Sequence, residues 1–278
     1  MVKIDAEKCI GCGLCVGDCL LREISIVEEK AVPRNKTCYN CGHCIAICPV
    51  NAVSPLKEEE EADIVPMTGE ECKVDTEAFL NLLRFRRTIR KYKADPVEKE
   101  TLEKVLEAGR ISPTGMNSQE IRYIVVQDKL ADLTGMCLKS LSDAADVIFN
   151  DSSSSKAMVA YGHMWKQMEK EYNEDGTDRL FYGAPALVVA AANTKYNKLT
   201  PPIDAGIACA NIEIIARTLG LGTCYIGFLK RAVGQNPEIN DFLGLNEHEE
   251  VMTSFIIGYP DVKYFRTVSR KKDKITWL

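Results

Sequence analysis

The spacing of apolar residues predicts both helices and strands in the chain beyond about residue 75. Apolar residues three or four positions apart indicate a helix, whereas a short apolar, often β-branched run indicates a buried strand. Helices are predicted over Thr76–Arg86, from the Asp95-Pro96-Val97-Glu98 capping box to about Ala108, and over Lys156–Tyr172 and Asp204–Leu219. Strands are predicted at Ile121–Val126, Ala186–Ala192 and Thr253–Tyr259. The order does not alternate strictly, which favours an α+β class around a central sheet.

The first part of the chain has a different character, because it is dominated by cysteine rather than by helical or strand periodicity. Two runs of four cysteines fall within residues 1–56, and the segment 57–75 that follows contains the sequence Lys57-Glu58-Glu59-Glu60-Glu61-Ala62-Asp63. A charge run of this kind is typical of a solvated linker. We therefore predict a small domain over 1–56, an acidic linker over 57–75 and a larger domain over 76–278.

The two cysteine runs share one spacing, C-x2-C-x2-C-x3-C, and each cysteine of the second run lies 29 residues after its counterpart. This is the ligand spacing of a two-cluster bacterial-type ferredoxin, in which the fourth cysteine of each run binds the other cluster. One 4Fe–4S cluster would be held by Cys9, Cys12, Cys15 and Cys48, and the other by Cys38, Cys41, Cys44 and Cys19. The pattern predicts a protein that transfers single electrons.

Two other uses of these cysteines fit less well. A disulfide framework belongs to small secreted domains, and the first residues show no basic region followed by an apolar one. Zinc accepts paired C-x2-C motifs, but it takes four ligands per ion. Three thiolates at three-residue steps with a distant fourth suit the corners of a cluster better.

The amino-acid composition limits the possible binding partners and the cellular compartment of the protein. A net charge of −5 argues against a nucleic-acid-binding protein. No stretch approaches ~18 consecutive apolar residues, so no membrane span is predicted. Many free thiolates without an export signal indicate a reducing cytoplasm.

Three further segments are rich in basic or polar groups that can bind phosphate. Arg86-Arg87-Thr88-Ile89-Arg90 concentrates three guanidinium groups, which suit bidentate phosphate binding. The polar turn 112–119 has the sequence Ser-Pro-Thr-Gly-Met-Asn-Ser-Gln, and a second basic set surrounds Arg270 near the end of the chain. With the glycine-rich segments 204–227 and 258–260, these motifs resemble the FMN-dependent nitroreductase family over residues 76–278. Including the cysteine-rich start, the whole chain resembles ferredoxin–nitroreductase fusion proteins.

The resemblance implies an α+β sandwich that forms an intertwined homodimer with FMN at the subunit interface. The FMN phosphate and ribityl chain would be held by Arg86, Arg87, Thr88 and Arg90, with Arg270 also at the phosphate. The ring would be lined from the partner subunit by Pro113, Thr114, Gly115 and Asn117, and its reactive edge by Cys224, Tyr225, Ile226 and Gly227. Glu120-Ile121-Arg122 departs from the commoner family pattern, which leaves the substrate pocket open.

Two clusters beside a flavin indicate conversion between one-electron and two-electron transfer. The expected function is reduction of a small organic acceptor, such as a nitro compound, a quinone or an activated alkene, with NAD(P)H or a protein as electron donor. The alternatives are an electron-transfer module for a larger redox partner and a redox sensor or cluster-storage protein. No acid–base pair is nominated: His163 is expected to be structural, and Cys224 has no histidine base nearby in sequence.

Overall fold

The computed structural model describes residues Met1–Leu278 as two compact units. The first unit contains Met1–Val74 together with the short segment Thr114–Ser118. The second contains Asp75–Pro113 and Gln119–Leu278. No helix in the chain has the length and apolar character needed to cross a membrane.

The first unit is built from two small antiparallel strand pairs and two short helices. Strand β1 (Val2–Ile4) pairs with β4 (Val53–Pro55), and β2 (Ile24–Val27) pairs with β3 (Lys30–Pro33). The helices are α1 (Leu14–Asp18) and α2 (His43–Ala46), and they pack against each other. The small core of this unit contains cysteine side chains, including Cys9 and Cys15, among its apolar residues.

The duplication seen in the sequence is also present in the backbone of this unit. Gly13 and Gly42 occupy the N-cap positions of α1 and α2 with φ of 75° and 73°, a left-handed conformation that glycine adopts without a steric penalty. Ile24 and Val53, which also lie 29 residues apart, are both buried strand residues. The repeated sequence therefore folds twice into the same turn, helix and strand.

The second unit contains one four-stranded antiparallel sheet in the order β5-β6-β8-β7. Its strands are β5 (Arg122–Val126), β6 (Ala186–Asn193), β7 (Gly222–Tyr225) and β8 (Glu249–Gly258). Its helices are α3 (Thr76–Phe85), α4 (Lys99–Arg110), α5 (Leu130–Asn150), α6 (Lys156–Asp175), α7 (Pro201–Thr218), α8 (Gly227–Val233) and α9 (Pro237–Phe242).

Helices cover both faces of the sheet. On strand β6, Leu187 and Val189 pack into a core formed with α5, α6 and α8. Ala186, Val188 and Ala190 pack into a separate core with α4 and α7. A central strand buried on both faces reads as a continuous apolar run rather than an alternating one, as β6 does. The result is a three-layer α+β sandwich, which confirms the predicted class.

Most of the predicted elements are confirmed within a few residues, but the predicted start of α4 is wrong. The helix begins at Lys99, and its N-cap is Glu98 rather than Asp95. Val97 lies outside the helix and is 2% exposed, and its carbonyl accepts a hydrogen bond from Gln127 Nε2 at 3.0 Å. Because Val97 is fixed in the core outside the helix, the chain cannot enter the helix at Pro96.

Candidate functional site

Four cysteine side chains of the first unit surround one small cavity. They are Cys9, Cys12, Cys15 and Cys48, and the rest of the wall is mainly apolar. Burial raises the pKa of the Cys15 thiol, and the neighbouring Cys12 and Cys48 raise it further. Cys48 belongs to the second run and the other three to the first. The structure thus brings together the crossed set that the spacing predicts, and this set fits a cluster held at its corners.

Backbone amides already point at the sulfur atoms of this set. Cys9 Sγ accepts a hydrogen bond from the Ala31 amide at 3.4 Å, and Cys48 Sγ accepts one from the Ala52 amide at 3.2 Å. The Ala31 amide also lowers the pKa of Cys9. Amide donors stabilise negative charge on ligand sulfurs and tune the reduction potential of an iron–sulfur cluster.

The second predicted set lies around α2. Burial raises the pKa of the Cys44 thiol to about 11, and the next causes are the neighbouring Cys38 and Cys41. Cys19 follows the last residue of α1, the helix that packs on α2, and its Sγ accepts a hydrogen bond from the Glu23 amide at 3.3 Å. No cysteine of the chain forms a disulfide.

In the second unit, the basic segment (residues 86–90) runs alongside strand β7. The Ile89 amide donates to the Thr223 carbonyl at 2.9 Å, which places Arg90 next to Cys224. Arg90 lowers the pKa of the Cys224 thiol, and its guanidinium carbon lies 5.8 Å above the ring of Tyr182. Two segments that are separated by more than 130 residues therefore form one site.

This site opens into a cavity of about 510 Å³. Its wall includes Arg90 and the segment 224–227, which together make up five of the predicted flavin-site residues. The volume is typical of a small-molecule or cofactor site. Gly227 is exposed at this wall, a Cβ added there would meet no atom within 4 Å, and Arg90 supplies a cation. The Arg90 guanidinium and the exposed turn between β7 and α8 together suit one edge of a flavin ring.

The arginines at the start of the basic segment are fixed by a carboxylate and by backbone carbonyls. Arg86 Nη1 lies 3.3 Å from Glu213 Oε1, which also accepts a hydrogen bond from Thr223 Oγ1 at 2.7 Å. Arg87 donates to the Arg86 carbonyl at 2.6 Å and to the Arg266 carbonyl at 3.4 Å. The C-terminal segment therefore passes beside the basic segment, as a shared phosphate site requires.

The remaining predicted flavin residues do not line this cavity. Thr88 is half-buried, and Arg270 is exposed in the irregular C-terminal segment. Thr114, Gly115 and Asn117 belong to the first unit, and Pro113 precedes them. Asn117 Nδ2 donates to the Asn40 carbonyl at 3.0 Å. The resemblance places residues 113–117 against the flavin of a partner subunit, so one chain does not bring them to its own cavity.

The cavity wall also contains residues that the sequence analysis did not nominate, chiefly Trp165, Phe228 and Arg231. Trp165 lies within the helix predicted over Lys156–Tyr172, and no motif marks Arg231. His163 is exposed and packs against Phe149, with ring centroids 4.7 Å apart, so it lies outside the wall. Burial raises the pKa of the Cys224 thiol and outweighs the opposing effect of Arg90. The thiol therefore stays protonated.

Known proteins resemble the chain in two separate regions. The nitroreductase family model matches residues 83–259, and a 4Fe-4S dicluster domain model matches residues 1–72. An FMN reductase [NAD(P)H] from Bacillus subtilis is 29% identical over 183 residues, which are 63% of this chain and 62% of that protein.

Solved structures match the larger region. A nitroreductase with bound FMN from Desulfitobacterium hafniense is 27% identical with a TM-score of 0.55, covering 72% of this chain and 97% of that one. A nitroreductase with bound FMN from Bacteroides fragilis has the same fold, with 22% identity, a TM-score of 0.56, and coverage of 72% and 98%. Since the family match extends over more than half of the sequence, the chain belongs to the nitroreductase family and carries a 4Fe–4S ferredoxin domain ahead of the nitroreductase domain.

Proposed function

We propose that the protein is an FMN-dependent oxidoreductase that couples two 4Fe–4S clusters to the reduction of a small organic acceptor. The observation that carries this proposal is the presence in one chain of two cavities lined by residues suited to these cofactors. One is the cavity that Cys9, Cys12, Cys15 and Cys48 surround. The other is the cavity that joins Arg90 to the segment 224–227.

FMN would supply hydride or stepwise electron chemistry, since it exchanges either one or two electrons. The chain would bind and orient it. Arg86, Arg87 and Arg270 provide the cations for the phosphate, and Glu213 fixes the direction of the Arg86 guanidinium. Arg90 places positive charge where reduction adds negative charge to the ring, which stabilises the reduced form.

The number of electrons that the reaction needs explains why a protein would combine iron–sulfur clusters with a flavin. Reduction of a nitro group to a nitroso group takes two electrons and two protons and releases one water molecule. The cysteine sets would hold clusters that supply one electron at a time, and the Arg90 cavity would hold the FMN that supplies two-electron chemistry. The electrons come from NAD(P)H or from a reduced low-potential protein, and the protons come from solvent, because the buried Cys224 thiol keeps its own proton.

We further propose that the protein is a homodimer. Helix α3 has no buried residue and exposes Phe79, Leu80, Leu83 and Phe85. The C-terminal segment also exposes Phe265 and Trp277. Exposed apolar side chains of this kind favour association, and a second copy would cover them while supplying residues 113–117 to the flavin. Analytical ultracentrifugation tests this proposal, and a monomer at micromolar concentration would contradict it.

Cofactor analysis followed by anaerobic kinetics tests the enzymatic function. The purified protein should contain about eight irons and about one FMN per chain. Dithionite-reduced protein should reoxidise faster with a nitroaromatic or quinone than with buffer, and turnover should continue when NAD(P)H or reduced ferredoxin is added. Rapid equilibration between flavin and clusters without turnover would instead favour an electron-transfer module.

A further inference from the structure

The cavity beside Cys224 has an aromatic and cationic wall that flavin binding does not explain. Helix α6 supplies Tyr161 and Trp165, and α8 supplies Phe228 and Arg231. None of these four residues lies in the segments proposed to hold FMN. They form the side of the cavity where an acceptor molecule could lie.

The positive charge of Arg231 has no carboxylate partner within the protein. Arg231 is half-buried, and its Cζ lies 4.9 Å above the ring of Trp165. No carboxylate lies within 4.0 Å of it, whereas Arg179, another arginine of the same wall, pairs with Glu171 at 3.1 Å. Withdrawing a charge from water is unfavourable unless an opposite charge compensates it. This part of the wall therefore favours an anionic ligand.

Two hydrogen-bond donors at the same place are also unused. Trp165 is 1% exposed, and its Nε1 has no hydrogen-bond partner. Arg231 Nε is likewise buried without a partner. A buried donor without an acceptor is destabilising, and a carboxylate presents about four acceptor positions on two oxygens. One carboxylate could thus neutralise the charge of Arg231 and accept hydrogen bonds from the unpaired donors of Trp165 and Arg231.

The surrounding rings favour a flat ligand. Tyr161 and Trp165 are nearly parallel, with centroids 6.0 Å apart and an interplanar angle of 17°. Phe228 meets both rings edge-on, at centroid distances of 5.8 and 5.7 Å. Aromatic side chains arranged in this way bind other rings through stacked and edge-to-face contacts.

We propose that the acceptor is a planar, conjugated compound bearing a carboxylate, which binds with its carboxylate at Arg231 and Trp165 and its ring against Tyr161 and Phe228. This inference rests on the proposed function, because it places the acceptor in the cavity that Arg90 and Cys224 share. The carboxylate takes no part in the electron transfer. It sets affinity and orientation, and the reducible group receives two electrons and two protons as above.

The test compares 4-nitrobenzoate with 4-nitrobenzamide, which have nearly the same shape but different charge. The FMN-loaded wild type should reduce the benzoate with a kcat/KM roughly ten- to a hundredfold higher than the amide, the range for a hydrogen bond to a charged group. Arg231→Gln should remove that preference without lowering activity toward the amide. Arg231→Lys, which keeps the charge, should restore part of it.

Two control variants separate the site from general electrostatics. Lys230→Gln removes the adjacent exposed cation, which lies outside the cavity wall, and should leave the preference unchanged. Arg179→Gln removes a cation already paired with Glu171, so its effect should be smaller than that of Arg231→Gln. Calorimetric titration with benzoate and benzamide, which are not reduced, should show the same order of binding without turnover.

The outcomes distinguish this inference from the function on which it rests. Equal kcat/KM values for the two compounds with the wild type would overturn the carboxylate site and leave the proposed function standing. Loss of FMN from Arg231→Gln would also overturn it, because Arg231 would then belong to the flavin site. No reduction of any acceptor by FMN-loaded protein would overturn the proposed function itself, and benzoate binding by calorimetry would still report on the carboxylate site.

Discussion

The contact between Gly222 and Ile89 should control both the stability of the second unit and the retention of FMN. A Cβ added at Gly222 would lie 2.3 Å from Ile89 Cγ1 and 2.9 Å from Pro260 Cγ. Ile89 is 4% exposed and directly precedes Arg90, so it cannot yield without shifting the basic segment. Overpacking of a core costs about 1–3 kcal/mol. At about 2–4 °C per kcal/mol for a domain of this size, Gly222→Ala should lower Tm by about 2–12 °C.

Thermal unfolding followed by circular dichroism measures the stability change, and flavin absorbance after gel filtration measures the bound FMN. Gly206→Ala is the matched control, because this exposed position in α7 has no atom within 4 Å of an added Cβ. Alanine in a helix interior is more stable than glycine by about 0.5–1 kcal/mol, so the control should match or exceed the wild type. A Gly222→Ala protein that retains all its FMN and unfolds at the wild-type temperature would refute the reasoning.

Three other substitutions test separate parts of the structure. Glu213→Gln should weaken FMN binding several-fold, measured by fluorescence titration, because it removes the carboxylate beside the basic segment. Cys48→Ser should lower the iron content by about half, whereas Cys72→Ser, at an exposed cysteine, should leave it unchanged. Arg122 donates to Glu249 at 2.7 and 2.9 Å and lowers the pKa of that carboxyl. The resulting stabilisation is present above the unfolded pKa of about 4.3 and is lost as the pH falls through the folded value, so the Tm of Glu249→Gln should lie below that of the wild type at pH 7 and approach it near pH 3.

The grouping of Cys9, Cys12, Cys15 and Cys48 around one cavity could be predicted from sequence because their spacing is local and of a known type. Three cysteines of each set lie in one loop and one short helix, and the crossover known for two-cluster ferredoxins predicts the fourth. The crossed position of Cys48 beside Cys9, Cys12 and Cys15 follows from the duplicated fold. Spacing carries this information without any knowledge of the tertiary structure.

Helix α5 shows why other parts could not be predicted. It is the longest helix of the chain, with 21 residues, and the sequence analysis did not identify it. Several of its buried positions are hydroxyl residues that interrupt the apolar pattern. Thr134 Oγ1 donates to the Leu130 carbonyl at 2.8 Å, and Ser140 Oγ donates to the Ala232 carbonyl at 2.9 Å. These bonds satisfy the buried hydroxyls, so residues that read as polar in sequence are core residues in the fold.

The aromatic and cationic wall of the cavity could not be predicted from sequence for a different reason. Trp165, Arg179 and Arg231 come from α6, from the loop before β6 and from α8, so no short motif contains them. Each alone has an ordinary interpretation, as a core aromatic or a surface cation. Only their common position shows that one arginine is paired with Glu171 and the other is not.

The charges around the cavity also affect how easily a bound flavin would be reduced. Reduction adds negative charge to the flavin, and a fixed cation nearby stabilises that charge most strongly where water is excluded. Arg90 lies in the cavity wall without a carboxylate partner. A flavin bound beside Arg90 would therefore be easier to reduce than one bound where no cation lies nearby. The cysteine sets are different, because an iron–sulfur cluster held by four thiolates already carries negative charge from its ligands.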